Sequence, residues 1–105
     1  MTALNKLCFD GKLEEVRLAL LHGGDVNDKD SGGQTALMRA VIRGHNSIVK
    51  LLLEQPGVNI NEKTAHADGD TALHRAVFGN NPEGTRMLLL HPRMNTANAI
   101  SRHVQ

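Results

Sequence analysis

The sequence predicts an all-α protein that consists of a short stack of repeated helix–turn–helix units. The main observation is a triplet, Thr-Ala-Leu, that begins at Thr2, Thr35 and Thr71, so that successive copies start 33 and 36 residues apart. A period of this size is typical of proteins that stack similar supersecondary units side by side. The second observation is that two apolar segments follow each triplet in the same order, which predicts two helices in each unit.

The first helix of a unit is clearest after Thr35. The hydroxyl of Thr35 can accept a hydrogen bond from an unpaired N–H group of the first turn, as an N-cap residue does. At 100° per residue, Leu37, Ala40 and Val41 fall on one side of the helix and predict its buried face. Gly44 is expected to end the helix, because the left-handed conformation of a helix terminus suits glycine best and asparagine next. Asn80 stands at the matching place in the third unit.

The second helix of a unit is predicted from about Asn46 to Glu54, with leucines on its inner side. In the third unit, Asn81 is expected to cap this helix and Pro82 to occupy its first position, where a missing N–H costs little. Gly84 is a predicted weak point, since an interior glycine costs about 1 kcal/mol relative to alanine.

These repeated features resemble the ankyrin repeat family from Thr2 to about Asn95. The resemblance is carried by five strings in register: Gly33-Gln34-Thr35-Ala36-Leu37, Gly69-Asp70-Thr71-Ala72-Leu73-His74-Arg75-Ala76, Gly44-His45, Leu51-Leu52-Leu53 and Asp25-Val26-Asn27. Two departures stand out. The usual proline after the threonine is alanine in all three units, and the usual histidine after the leucine is present only as His74.

The resemblance implies a solenoid whose units are joined by hairpin-like loops set roughly perpendicular to the helices. It implies repeats at about 2–33, 34–69 and 70–95, followed by a C-terminal tail or partial cap at 96–105. The connector from Glu62 to Gly69 is longer than the preceding one and is expected to project further. The resemblance also implies that His74 bridges neighbouring units, whereas His45 is expected to bond the turn at the head of its own second helix.

Composition restricts the class of protein. With 105 residues, two Phe, no Trp or Tyr and a net charge of +1, the chain is expected to form one domain without general attraction to nucleic acid or membranes. Its single cysteine, Cys8, fits a reducing compartment and is expected to be buried and unreactive. No secretion signal or membrane-spanning run is visible, so the expected location is the cytoplasm, with the nucleus as an alternative.

Neither catalysis nor a cofactor is predicted. The six histidines include no pair at the i, i+4 spacing of a helical zinc site, and only one cysteine could assist them. Serine and threonine form no recognisable arrangement with histidine and an acid. The sequence therefore predicts a protein that is not an enzyme, with no metal, no cofactor and no catalytic residue.

The outer side of the first helices carries two columns of residues. Positions four and seven after each triplet threonine lie opposite the buried face, and they are basic and apolar, respectively. The columns are Lys6, Arg39 and Arg75, and Phe9, Ile42 and Phe78. By resemblance, this side and the connector tips form a partner-binding surface, which here comprises Lys6, Phe9, Asp10, Ser31, Gln34, Arg39, Ile42, Arg43, Asp68, Asp70, Arg75 and Phe78.

The predicted partner is a protein or peptide with apolar anchors flanked by acidic residues, and the protein itself is expected to be a monomer or weak homo-oligomer. Two alternatives stay open. The basic column can be an ordinary solvated face, with Phe9 and Phe78 partly covered by neighbouring segments. The protein can instead be a structural fragment that self-associates through its C-terminal unit, where Met87 to Leu90 would expose an apolar flank unless the tail folds back over it.

Overall fold

The computed structural model describes residues 3–64 and 69–94. This part of the chain forms six helices, grouped as three successive pairs. Their bounds are α1 (Ala3–Phe9), α2 (Leu13–Leu21), α3 (Ala36–Arg43), α4 (Asn46–Leu53), α5 (Ala72–Phe78) and α6 (Pro82–Leu90). The first helices α1, α3 and α5 pack in one row, and α2, α4 and α6 pack in a second row against them. The predicted all-α stack of helix pairs is confirmed.

Local capping explains where the helices begin and end. The Thr35 hydroxyl accepts a hydrogen bond from the Met38 N–H at 3.2 Å, and Thr71 and His74 form a reciprocal capping box at the start of α5. Gly44 ends α3 in the left-handed conformation with φ 74°, and Asn80 follows α5 with φ 55°. The predicted roles of Thr35, Gly44 and Asn80 are therefore confirmed.

The second helix of the third unit, α6, also begins at a side-chain cap. The Asn81 side chain accepts a hydrogen bond from the Gly84 N–H at 3.0 Å, and Pro82 occupies the first turn of α6. The same Asn81 amide donates to the Val41 carbonyl oxygen at 3.1 Å. One asparagine thus caps α6 and ties it to α3 of the preceding unit.

The core lies between the two rows of helices and consists mainly of aliphatic side chains. Ala40 and Ala76 are fully buried in α3 and α5, and their small size lets the first helices approach closely. Leu52 and Leu88 fill the same layer from the second row. Burial of a large aliphatic side chain such as leucine contributes about 1.5–3 kcal/mol to the free energy of unfolding. The stacked leucines are therefore the main source of stability.

The connectors are hairpin-like, as the resemblance implied. Lys29 and Thr35 form an antiparallel bridge, and the Asp30 N–H donates to the Gln34 carbonyl oxygen at 3.0 Å. The second connector is closed in the same way, because the Thr64 N–H donates to the Asp70 carbonyl oxygen at 2.9 Å. The expected greater projection of this connector concerns residues 65–68, which lie outside the described residues.

Asparagines at the end of each unit link it to the next. The Asn27 amide donates to the Gly57 carbonyl oxygen at 2.9 Å, and its oxygen accepts from the Asn59 N–H at 2.7 Å. One unit later, the Asn61 amide donates to the Arg93 carbonyl oxygen at 2.8 Å. Each bond joins residues about one repeat apart, so they fix the register of the stack.

The prediction for His45 was wrong. Instead of bonding the turn at the head of α4, its ring nitrogen Nε2 lies 3.1 Å from the carbonyl oxygen of Phe9 in the preceding unit, and its side chain makes no capping bond. The reason is Gly11, whose missing side chain leaves room for the ring: a Cβ there would lie 2.8 Å from an imidazole carbon.

The C-terminal unit exposes apolar side chains. Val77 is 52% exposed, whereas Val41 at the same position of the preceding unit is 1% exposed, because α5 covers Val41 and no described helix follows α6. Leu89 and Leu90 are 47% and 70% exposed, but Leu88 is fully buried. The expected apolar flank is thus confined to part of the segment from Met87 to Leu90, and the tail at 96–105 lies outside the described residues.

Candidate partner-binding site

The outer face of α1, α3 and α5 presents both predicted columns. We call it the outer face of the first row and define it by Lys6, Phe9, Arg39, Ile42, Arg75 and Phe78. Ile42 is 41% exposed and Phe78 is 66% exposed. Lys6 is exposed, whereas Phe9, Arg39 and Arg75 are half-buried. The residues of each column lie on successive packed helices, so the repeat brings them to one side of the molecule.

The Phe9 ring lies beneath two arginines of the next unit. The guanidinium carbon of Arg43 is 4.5 Å from the ring centroid, and that of Arg39 is 5.9 Å away. Cations at this distance are attracted to the electron-rich face of an aromatic ring. Phe9 is therefore neither a core residue nor fully open, and only part of the residue is exposed to solvent.

Ile42 and Phe78 form the more open end of the apolar column. The Ile42 side chain reaches the backbone just after α5, where a Cβ on Gly79 would lie 3.1 Å from its terminal methyl group. The Phe78 ring stacks on the His74 ring of the preceding turn, with centroids 6.2 Å apart and planes 7° from parallel. This stacking restricts the rotamers of Phe78, whose ring stays exposed on the helix that packs against α3.

Two of the three cations in the basic column already form ion pairs within the protein. Lys6 pairs with Asp10 at 3.0 Å, where both side chains are largely exposed. Arg39 pairs with Asp30 at 2.5 Å, and the Asp30 side chain is only 7% exposed. Burial acts to raise the pKa of Asp30, but hydrogen bonds from Arg39 and from the backbone N–H groups of Gln34 and Gly32 outweigh it, so the pKa is lowered.

The connector tips carry the remaining predicted residues of the surface, Ser31, Gln34, Asp68 and Asp70. Ser31 is exposed, and Asp70 is half-buried. The Gln34 carbonyl oxygen accepts from the Asn5 side chain at 2.8 Å, so this backbone joins the first two units. Asp68 lies outside the described residues.

Sequence reasoning missed the ion pairs in this face. The spacing of Lys6 and Asp10, four residues apart on one helix, was a usable signal. The bond between Asp30 and Arg39 depends on how the hairpin folds back over α3, and no local pattern shows that. The position of Arg43 above Phe9 likewise depends on the packing of two units.

The described ranges contain a buried thiol and no cluster of side chains that could bind a metal ion. Cys8 is fully buried, and burial raises the pKa of its thiol to about 12, so it stays protonated at neutral pH. Among residues 3–64 and 69–94, no three histidine, cysteine, aspartate or glutamate side chains cluster in a way that could hold a metal ion. None of the helices in those ranges is long and apolar enough to cross a membrane.

Two rows of paired helices, hairpin-like connectors and an exposed outer face define a helical repeat protein. The sequence model of the family described as "Ankyrin repeats (3 copies)" matches residues 4–99. The chain therefore belongs to the ankyrin repeat family, as its triplets indicated.

Several longer proteins contain a similar segment. The chain is 35% identical over 92 residues to human SMC5-SMC6 complex localization factor protein 1, a match that covers 86% of this chain and 8% of that protein. It is 39% identical over 64 residues to BTB/POZ domain-containing protein 1 of Schizosaccharomyces pombe, covering 61% of this chain and 5% of that protein. It is also 38% identical over 72 residues to human ankyrin repeat and KH domain-containing protein 1, covering 69% of this chain and 3% of that protein. The chain thus spans less than a tenth of the length of each of these relatives.

Proposed function

We propose that the chain is a non-catalytic module that binds a partner protein or peptide on the outer face of the first row. Ankyrin repeats are generally protein–protein interaction modules, and the family is generally non-catalytic. The observation that carries the proposal is the exposure of Ile42 and Phe78, which occupy the same position on the two packed helices α3 and α5. Contiguous apolar surface on a folded protein commonly marks a contact site.

The proposed surface keeps all the residues predicted from the sequence. It comprises Lys6, Phe9, Asp10, Ser31, Gln34, Arg39, Ile42, Arg43, Asp68, Asp70, Arg75 and Phe78. We propose Ile42 and Phe78 as the main apolar anchors, because they are the most exposed members of the apolar column, and Arg43 as an exposed cation over Phe9. A peptide or helix with apolar side chains flanked by acidic residues complements this arrangement, and we propose the cytoplasm, or alternatively the nucleus, as its location.

A second candidate function is self-association through the C-terminal unit. Val77 and Leu89 line an open groove of about 430 Å³ at the end of the stack, together with Ala76, Pro82 and Thr85. A second copy of the chain that covered this groove would bury the exposed valine and leucine. In this second function the protein acts in assembly, and the outer face of the first row stays uncovered.

Capture of partners from a cell lysate with two matched variants tests the main proposal. Phe78→Ser removes a side chain that is 66% exposed on the proposed surface, and Leu90→Ser removes one that is 70% exposed on the second row. We expect proteins captured by the wild type to be lost with Phe78→Ser and kept with Leu90→Ser, while circular dichroism shows unchanged helix content for both. Equal capture by all three proteins contradicts the proposal.

A further inference from the structure

The two hairpins are closed by the same pattern of hydrogen bonds, but the residue that closes each one differs. In the first, the Asp30 carboxylate accepts from the Gln34 N–H at 3.1 Å, across the hairpin that the Asp30 N–H closes. In the second, the Thr64 hydroxyl accepts from the Asp70 N–H at 3.1 Å, across the hairpin that the Thr64 N–H closes. Thr64 is therefore the structural counterpart of Asp30.

Asp30 has a second role that Thr64 cannot perform. Its other carboxylate oxygen bonds to the Arg39 guanidinium at 2.5 Å. Arg75 is the counterpart of Arg39, because the two residues lie four positions after Thr71 and Thr35, respectively. A threonine carries no charge, so the position that holds a carboxylate beside Arg39 holds none beside Arg75.

The Arg75 side chain is accordingly held in place but unpaired. Within residues 3–64 and 69–94, its guanidinium forms no ion pair, and its Nε is buried without a hydrogen-bond acceptor. The residue as a whole is half-buried, so part of its side chain remains in contact with solvent. A buried stem restricts the side chain, so the charged end is presented on the outer face in a limited set of positions.

The other cations of this face are less available or less restricted. Asp10 pairs with Lys6, and Asp30 pairs with Arg39. Arg43 is exposed and lies over the Phe9 ring, and Lys6 has a side chain that is 69% exposed. A carboxylate that bound Arg39 would have to compete with the buried Asp30, whereas one that bound Arg75 would meet no such competitor among residues 3–64 and 69–94.

Building on the proposed function, we propose that Arg75 is the residue that binds an acidic side chain of the partner, beside the apolar anchors Ile42 and Phe78. The recognised element is then an aspartate or glutamate next to an apolar residue. A carboxylate bonded to a guanidinium forms the strong, charge-assisted type of hydrogen bond, which makes Arg75 a specificity-determining residue. The change from Asp30 to Thr64 between repeats is what leaves this cation for the partner.

Binding of peptides from a random 12-residue library, selected on the 105-residue wild-type protein, tests this proposal. The decisive variant is Thr64→Asp, which supplies the missing carboxylate inside the protein, and Thr64→Asn is its uncharged control. Arg75→Gln removes the cation itself, and Lys50→Gln, at an exposed cation of the second row, is its control. Arg39→Gln and Arg43→Gln compare the other arginines of the same face. Circular dichroism of every variant checks that the helices are retained.

We expect the selected peptides to contain aspartate or glutamate next to an apolar residue. Thr64→Asp and Arg75→Gln should each weaken their binding about tenfold, as loss of one charge-assisted hydrogen bond does. Thr64→Asn and Lys50→Gln should change the affinity about twofold or less. Arg39→Gln and Arg43→Gln should each weaken binding less than Arg75→Gln does.

Two contrary results are distinguishable. The role of Arg75 is overturned if the selected peptides depend on Phe78 but lack acidic residues. It is also overturned if they lose as much affinity with Arg39→Gln or Arg43→Gln as with Arg75→Gln. Either result leaves the proposed binding face intact. Peptides that bind Phe78→Ser as tightly as the wild type, or a failure to select any peptide, overturn the proposed function and this inference together.

Discussion

The imidazole of His45 lies 3.1 Å from the carbonyl oxygen of Phe9, directly above Gly11, and so joins the second unit to the first. The bond matters for the outer face of the first row, because Phe9 lies at the C-terminus of α1 and beneath Arg43. The bond from His45 to the Phe9 backbone therefore helps to fix the position of the Phe9 ring and of the Arg43 cation above it.

The first prediction concerns this contact. Gly11→Ala should destabilise the protein by about 1 kcal/mol or more, since Gly11 has φ 75° and a Cβ there would contact the His45 ring. His45→Ala should cost about 1 kcal/mol for the lost hydrogen bond. Urea denaturation of both single variants and the double variant measures their coupling. The double variant should lose less than the sum of the two, and strict additivity would contradict the contact.

The second prediction concerns Gly84. Replacement of an exposed interior glycine by alanine normally stabilises a helix by about 1 kcal/mol. Here a Cβ would lie 2.6 Å from the Asn81 amide nitrogen, which bonds to Val41 and Asn46. Gly84→Ala should therefore lower the free energy of unfolding, measured by urea denaturation. A more stable Gly84→Ala protein would show that the Asn81 link contributes little.

The third prediction is a pH dependence that originates at Asp30. Its pKa is lowered in the folded protein from an ordinary value of 3.8, so its contribution to stability is present above that pH and is lost as the pH falls through the folded value. The difference in unfolding free energy between wild type and Asp30→Asn should be large at pH 7 and shrink below about pH 4. Glu14→Gln, in an exposed pair with Arg17, is the control and should show little difference at any pH. A difference in unfolding free energy between wild type and Asp30→Asn that stays constant down to pH 2 would contradict the buried ion pair.

The fourth prediction separates partner binding from self-association. If the C-terminal groove joins two copies, wild-type protein should sediment as a dimer at high concentration and Leu89→Glu as a monomer, because a charge would be buried in the contact. If the outer face of the first row is the functional surface, both proteins should sediment alike and bind the same partner. A Leu89→Glu protein that is monomeric but has lost the partner would favour assembly through the C-terminal unit.

Local signals made the fold predictable. Thr35, Gly44 and Asn81 each act on the backbone within three or four residues, so their capping roles can be read from sequence spacing. The buried face of α3 was predictable for the same reason, since Leu37, Ala40 and Val41 follow the helical period.

Contacts between units were the part that could not be predicted. The partner of His45 was missed because Gly11, which makes room for it, is 34 residues earlier in the chain and becomes its neighbour only in the stack. The pair of Asp30 and Arg39 was missed because it depends on the path of a hairpin. The columns themselves were predictable, but which of their cations are already neutralised was not.

Amide chemical-shift mapping of the isotope-labelled protein with a selected acidic 12-residue peptide tests the central claim most directly. The account predicts that the largest shifts fall on α1, α3 and α5 around Ile42, Arg75 and Phe78, with small shifts at Leu18 and Leu90 on the second row. Shifts concentrated on α2, α4 and α6 would contradict it.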